Sequence, residues 1–408
     1  MKTIPRFIAP MTFGESFAAL FSSGSYGSAE PGFSKRFAEY LGVDYAIPAP
    51  SGRFAFAAIL QALAFPKGGE IILPALTFHS IPQLIRQAGL VPVFVDIEPD
   101  TCCIDPVRIE AAVTNKTVAI LPTHLYGRSC DMKAVGRIAE KRGLRIIEDC
   151  AQSCGGQWRG RKTGSIGDAA YFSFGPTKNL AVLWAGMVTT GSPEIAQKAS
   201  AYFQSLEHIS AFALSRRLVF ALAMRFVTQP WFWRIFMAPA LRWLSKKKID
   251  PIEKLTAETP GAQNPADRKA GLMPSEYQWR IGFSQLAGLD QSNARRIENG
   301  VRLIELLQNV EGITAPRPAP DRENIFMSFP VQVENRDDFR QRLLALGVDT
   351  ATGYMSVCPG MPEPDAQKIA PAAFEAMRKM VHLPVYPELS SADIERIAVA
   401  VKTVIIPN

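Results

Sequence analysis

Leu144-Arg145-Ile146-Ile147-Glu148-Asp149-Cys150-Ala151-Gln152-Ser153 is the stretch on which the fold turns. A mainly apolar run, Leu144–Ile147, interrupted by Arg145, ends on two acids and passes into a turn of small residues. Near-continuous apolarity is what a strand needs when helices cover both its faces. An acid at the carboxyl edge of a parallel strand lies where open α/β sheets hold their ligands. The other reading of Asp149 is a turn carboxylate that caps the next element.

The pattern repeats on both sides. Strands are expected at Tyr45–Ala49, Glu70–Pro74, Val91–Ile97, Val118–Pro122, Leu144–Asp149, Ala169–Phe174 and Gly186–Thr190. Amphipathic helical stretches lie between them at Phe54–Ala64, Ile81–Ala88, Pro106–Val113 and Met132–Arg142. Alternation at this spacing predicts an α/β fold, a large mostly parallel mixed-sheet domain with helices on its faces. Residues 255–275 read as a polar, Pro-, Gly- and Ala-rich linker. Beyond it, a long helical pattern, Glu276–Leu307, leads to strands near Ile325–Val333 and helices near Asp337–Leu346 and Ser391–Val404, a smaller C-terminal α/β domain. The expected division is 1–255 and 256–408, with an insertion at about 208–249.

Composition sets the outer limits. Of 408 residues, 47% are hydrophobic and 20% charged, which excludes disorder as the main state. Six cysteines are too few for a disulfide scaffold, and four histidines argue against a His-rich metal centre, so no metal is expected. The first ten residues contain no apolar run of signal-peptide length, and a cytoplasmic setting is the default expectation. The net charge of +7 comes from one place: between Glu207 and Asp250 there is no acid, but there are Arg216, Arg217, Arg225, Arg234, Arg242, Lys246, Lys247 and Lys248. A charge confined to one segment does not describe a nucleic-acid-binding protein, and no nucleic acid is expected as a partner. The same segment carries Trp231-Phe232-Trp233 and Trp243. Its composition suits a helix lying on a membrane surface at the inner face. Its longest uncharged stretch, Phe226–Trp233, falls far short of the roughly 20 residues a spanning helix needs. The competing readings are an insertion packed on a partner subunit and a lid whose arginines meet substrate phosphates.

Several chemistries lack their motifs. No Gly-x-Gly-x-x-Gly follows a strand, no Gly-x-x-x-x-Gly-Lys-Ser/Thr occurs, and the Cys150-x3-Cys154 pair has no second pair for zinc. Three strand ends remain. Ser51-Gly52-Arg53 precedes a helix whose free amides, approached closely over a glycine, can hold a phosphate, with Arg53 adding charge; a plain Ser51 N-cap is the alternative. Asp149 offers a carboxylate. Lys178, in Tyr171-Phe172-Ser173-Phe174-Gly175-Pro176-Thr177-Lys178-Asn179, sits on a rigid turn just past a strand, and a lysine whose pKa is lowered by burial attacks carbonyls. Phosphate cradle, acid and amine are together the parts that pyridoxal 5'-phosphate requires.

These segments, with Gly69-Glu70-Ile71-Ile72-Leu73-Pro74, Thr77-Phe78, Pro92-Val93-Phe94-Val95-Asp96-Ile97, Leu121-Pro122-Thr123-His124-Leu125-Tyr126-Gly127 and Leu383-Pro384-Val385-Tyr386-Pro387-Glu388-Leu389-Ser390, resemble the DegT/DnrJ/EryC1/StrS family in order and spacing. The resemblance runs through roughly 40–200 and from about 276 onward. It implies the fold of pyridoxal-phosphate-dependent transferases of fold type I (aspartate-aminotransferase-like), a homodimer, and amination of a nucleotide-linked keto-sugar with glutamate as amino donor. It also implies roles: Lys178 as the Schiff-base lysine, Asp149 as partner of the pyridine nitrogen, Gln152 near the ring's 3-oxygen, Phe78 stacked on the ring, and Ser173 with the Gly52 and Arg53 backbone on the phosphate. The chain departs from the family pattern at Arg53, usually Thr, at Gly175, commonly His, and at Leu183-Trp184-Ala185-Gly186, which replaces Gly-Glu-Gly-Gly. Gly271–Gln278 lacks the asparagine by which a partner subunit often reaches the phosphate. The alternative implied by these departures is a non-catalytic or altered-reaction member that serves as a membrane-associated binding or regulatory protein.

Overall fold

The computed structural model describes residues 3–21, 29–245, 250, 252, 271–317, 319 and 321–405. Its central sheet has strands β1 (Tyr45–Ala49), β2 (Glu70–Pro74), β3 (Val91–Val95), β4 (Thr117–Ile120), β5 (Arg145–Asp149), β6 (Ala169–Ser173) and β7 (Gly186–Thr190) in the order β1-β7-β6-β5-β4-β2-β3. The pairs β6–β5, β5–β4, β4–β2 and β2–β3 are parallel. Strand β7 runs against both its neighbours, β1 and β6. Each strand expected for this sheet is present, its ends displaced by two residues at most.

The helices form where sequence supplies both a stripe and a stop. Met132–Arg142 begins under Asp131, whose carboxylate accepts from the Ala134 amide, and ends at Gly143, whose φ of +65° only glycine adopts without strain. Its Val135 and Ile138 pack on Ile72, Ile120 and Ile146 of the sheet. On the opposite face, Phe54, Phe56 and Ile59 of the Gly52–Leu63 helix are fully buried and belong to a core shared with Ala199 and Phe203.

A second, smaller sheet pairs β8 (Phe329–Gln332) with β9 (Met380–Leu383), antiparallel. The expected strand near Ile325–Val333 shrinks to β8; β9 has no counterpart among the expectations, being a four-residue buried run with no period to betray it. The Glu276–Leu307 helix, opened by a reciprocal Ser275–Gln278 capping box, backs this sheet together with Ser391–Ile405. The start of the chain joins the same core. Ile4 pairs with Val348, and Arg6 binds Asp349 at 2.6 Å and Asp250 at 2.8 Å. Of the expected 255–275 linker, only 271–275 lie within the described residues, where Met273 bridges to His208. Lys246, Lys247 and Lys248 lie outside them. The basic aromatic segment is helical: Ala211–Val227, a turn at Pro230–Phe232, a wider π-type turn at Trp233–Met237, and Ala238–Ser245.

Candidate active site

The carboxyl ends of β1, β5 and β6 and the start of antiparallel β7 meet at one edge of the sheet. Ser51-Gly52-Arg53 leaves β1 there. A Cβ on Gly52 would stand 2.9 Å from the Ser173 Cβ, and one on Gly186 would stand 2.3 Å from the Ser51 carbonyl carbon. Glycine is therefore required at both places for the strand ends to close up. Ser51 occupies the N-cap position, but its side chain makes no capping bond, and its hydroxyl is buried with no partner. The plain N-cap reading thus does not hold for the hydroxyl. An unsatisfied buried hydroxyl beside the free amides of a twelve-residue helix is a donor set awaiting an anion.

Asp149 ends β5. Its Oδ1 accepts from the Ala151 amide at 3.0 Å and its Oδ2 from the Thr123 hydroxyl at 3.4 Å. It therefore does cap the turn, yet its carboxylate also lines the cavity described below. Burial pushes the Asp149 carboxyl above the usual carboxylate range, with the charge of Lys178 among the influences drawing it back. Gln152 accepts from the Tyr126 amide at 3.0 Å through its side-chain oxygen. The Lys178 Nζ donates to the Tyr354 hydroxyl at 3.2 Å and lies 5.5 Å from the centre of that ring. Phe78 stands edge-on to Tyr354, 6.1 Å between ring centres.

Gly52, Arg53, Phe78, Asp149, Gln152, Ser173 and Lys178 all line one cavity of about 160 Å³. Sequence reasoning missed four of its other walls: Thr123, Tyr354, Phe220 and Met224. Tyr354 comes from an irregular stretch with no motif. Phe220 and Met224 come from the basic aromatic segment, whose composition pointed outward. That helix has two faces. Inward, Phe220 packs on Trp184 at 5.4 Å, and Arg217 donates to the Leu183 and Trp184 carbonyls at 3.3 Å each. Leu183 and Trp184 have φ of +49° and +63°, a strained conformation for side-chain-bearing residues. Arg217 and Gln278, which donates to Leu183 at 2.9 Å, pin the turn in place. The replacement of Gly-Glu-Gly-Gly is thus compensated by the helix that covers it.

Beside Asp149, His124, Glu148 and Cys150 form the one group among the described residues with metal-like spacing. Two of its three donors are already engaged. Glu148 accepts from His124 at 3.0 Å and from the Gly164, Ile166 and Gly167 amides, and the His124 Nδ1 accepts from the Cys130 amide. These bonds tie the end of β5 to the 164–167 turn and to His124.

An orphaned hydroxyl and free amides on a glycine cradle, a buried carboxylate and a reachable amine in one cavity fit pyridoxal phosphate. Fold and site define a pyridoxal-phosphate-dependent aminotransferase of fold type I. The chain belongs to the DegT/DnrJ/EryC1/StrS aminotransferase family, whose profile matches residues 17–210 and 273–402 and leaves out the basic aromatic segment. It is 30% identical over 394 residues, 95% of this chain and 90% of the relative, to the dTDP-3-amino-3,4,6-trideoxy-alpha-D-glucose transaminase of Streptomyces venezuelae. It is 30% identical to the UDP-N-acetyl-3-dehydro-alpha-D-glucosamine 3-aminotransferase of Acidithiobacillus ferrooxidans, across 88% of this chain and 84% of that one. The solved structure of NtdA from Bacillus subtilis with bound cofactor PMP superposes with a TM-score of 0.73 at 25% identity, across 99% of this chain and 86% of that one.

Proposed function

We propose that this protein aminates a keto-sugar carried on a nucleotide, with glutamate as amino donor. The observation that carries the reading is the convergence of Lys178, Asp149 and the Ser51–Gly52 cradle on one cavity. The names of the two relatives, a dTDP-sugar transaminase and a UDP-sugar aminotransferase, support the acceptor class. The test is turnover with glutamate and a panel of dTDP- and UDP-linked keto-sugars. Production of 2-oxoglutarate with none of them would remove the acceptor class while leaving the cofactor chemistry standing.

When bound, the cofactor supplies an aldehyde that captures amines and an electron-withdrawing ring that makes the neighbouring C–H acidic. The chain's own residues do the rest. Ser51, Ser173 and the Gly52 and Arg53 amides hold the phosphate. Asp149 keeps a proton on the ring nitrogen, because a buried anion favours a cation beside it. Gln152 donates to the ring oxygen and Phe78 covers the ring face. Lys178 is the amine that would hold the cofactor aldehyde and the base that would move the proton at the reacting carbon. Phe220, Met224 and Trp184 keep water off. Tyr354 orients the Lys178 amine. The expected result for Tyr354→Phe is intact cofactor binding with kcat reduced about 10-fold and KM little changed, as for loss of one charged hydrogen bond. Unchanged kcat would remove Tyr354 from the mechanism.

The outer face of the basic segment carries a second part of the reading. Phe212, Val219 and Phe226 are exposed at seven-residue spacing along one helix, followed by Trp231, Ile235, Phe236 and Trp243, also exposed. Exposed aromatics among Arg216, Arg234 and Arg242, with no acid nearby in sequence, complement an anionic bilayer surface. Among the described residues no helix is long and apolar enough to cross a membrane. We infer a homodimer that rests peripherally on the inner face of the cytoplasmic membrane. Co-sedimentation should be strong with phosphatidylglycerol vesicles and weak with phosphatidylcholine. Joint replacement of Trp231, Phe236 and Trp243 by Ser should weaken it by about 100-fold or more, since each aromatic buried is worth about 1.5–3 kcal/mol. Equal binding to both vesicles, or a mass change from dimer to monomer in the triple variant, would assign the face to protein contacts instead.

A further inference from the structure

The cofactor cavity adjoins a larger one of about 580 Å³, with which it shares the walls Gln152, Thr177, Tyr354 and Met355. That volume falls in the range of small-molecule sites. The larger cavity lies between the N-terminal segment, the middle of the Glu276–Leu307 helix and the β9 end of the smaller sheet. Three arginines line it. Two are neutralised: Arg6 by Asp349 and Asp250, and Arg340 by Asp250 at 2.9 Å. The third, Arg296, is 7% exposed and donates no hydrogen bond to any described residue; its Nε is enclosed without a partner. Among the described residues, the charge drawing on it is that of Glu388, itself held by Arg225 at 3.1 Å. Burial lowers the guanidinium only to about 10, so it remains a cation at neutral pH.

A buried, unpaired guanidinium is among the costliest arrangements a fold can retain. Its planar fork matches carboxylate and phosphate oxygens in pairs. We propose that Arg296 is the oxyanion-recognition residue of a substrate site in this second cavity, binding a carboxylate or phosphate group of a molecule whose reacting end lies at Lys178. This rests on the transaminase reading for its location beside Lys178, but not for its chemistry. Two sources supply such a group: the carboxylate of the amino donor and the diphosphate of the sugar carrier.

The test titrates the cofactor-loaded enzyme with glutarate, a dicarboxylate, and separately with inorganic pyrophosphate, following the thermal midpoint. One of the two should raise the wild-type midpoint, and which one does so identifies the source. Arg296→Gln should bind that probe at least about 10-fold more weakly, and Arg296→Lys, which keeps charge without the fork, should fall between. Arg296→Met should be more heat-stable than wild type without probe and gain nothing with it, because the uncompensated charge is gone. Matching kinetics would raise KM for the corresponding substrate alone. Wild-type affinity for both probes in Arg296→Gln, no response of wild type to either, or a lowered probe-free midpoint in Arg296→Met would overturn the proposal. Anion binding that depends on Arg296 in an enzyme that turns over no keto-sugar would instead overturn the function and leave this site intact.

Discussion

Lys178→Ala protein mixed with pyridoxal phosphate is expected to lack the visible absorption band that wild type acquires, and to transfer amino groups at least about 10³-fold more slowly, within the range positioned proton-transfer groups contribute. The fold should survive the change. Lys178 lies on a turn closed by its own amide to the Gly175 carbonyl at 3.1 Å, and its side chain bonds to Tyr354, not to the core. Lys178→Arg provides the control: it keeps a cation of similar reach, so the Tyr354 contact is preserved, but a guanidinium is too weak a nucleophile to capture the aldehyde. Equal spectra for wild type and Lys178→Ala at saturating cofactor would remove the covalent role, and with it the assignment of the whole cavity.

Asp149→Asn is expected to lower kcat/KM by about 10²–10³-fold, the effect of removing one preorganised electrostatic partner from a dry site. The substitution is close to isosteric: the amide oxygen can still accept from the Ala151 amide, and the amide NH2 can donate to the Thr123 hydroxyl, which turns to accept. Cofactor-free stability has the opposite expectation. Burial raises the Asp149 carboxyl above its unfolded value. The folded state therefore binds more protons between the ordinary carboxylate range and that raised value, and the cofactor-free protein loses stability as pH climbs through this window. Asparagine removes that loss. The variant's unloaded midpoint should equal or exceed wild type at neutral pH, while its gain on adding cofactor should shrink. Wild-type turnover in Asp149→Asn, or an unloaded protein markedly less stable than wild type, would make Asp149 a structural turn residue after all. The two outcomes are separable because the proposed catalytic role needs the charge, whereas the turn needs one acceptor oxygen for the Ala151 amide, which asparagine keeps.

The parallel strands and their helices were legible because each carries its signal locally. Buried strands such as β2 are apolar on both faces, and Met132–Arg142 begins at an Asp cap and ends at a glycine stop. The seven proposed site residues come together in one cavity for a related reason: they lie at or near strand ends, where open α/β sheets form their ligand sites. Tyr354 was not legible. It reaches Lys178 across 176 positions of sequence from a stretch without regular structure, and no local pattern records such a contact. The basic aromatic segment was half legible. Its composition announced the exposed Trp231 and Trp243 but gave no sign that Trp233 is buried or that Phe220 and Met224 line the cavity; these differ from their exposed neighbours only in the direction the helix turns them.

Sequence alone determined the order of strands and helices, the acid and the amine, and the glycines without which the cradle could not close. Tertiary structure alone decided what surrounds them: the reversed strand β7, the Tyr354 hydroxyl on the lysine, the inserted helix as a wall, and the stranded Arg296 charge beside the site. The division follows from the reach of the forces. Propensity, capping and burial period act over a few residues and are written in the chain, whereas a charge without a partner is defined only by everything that has failed to approach it.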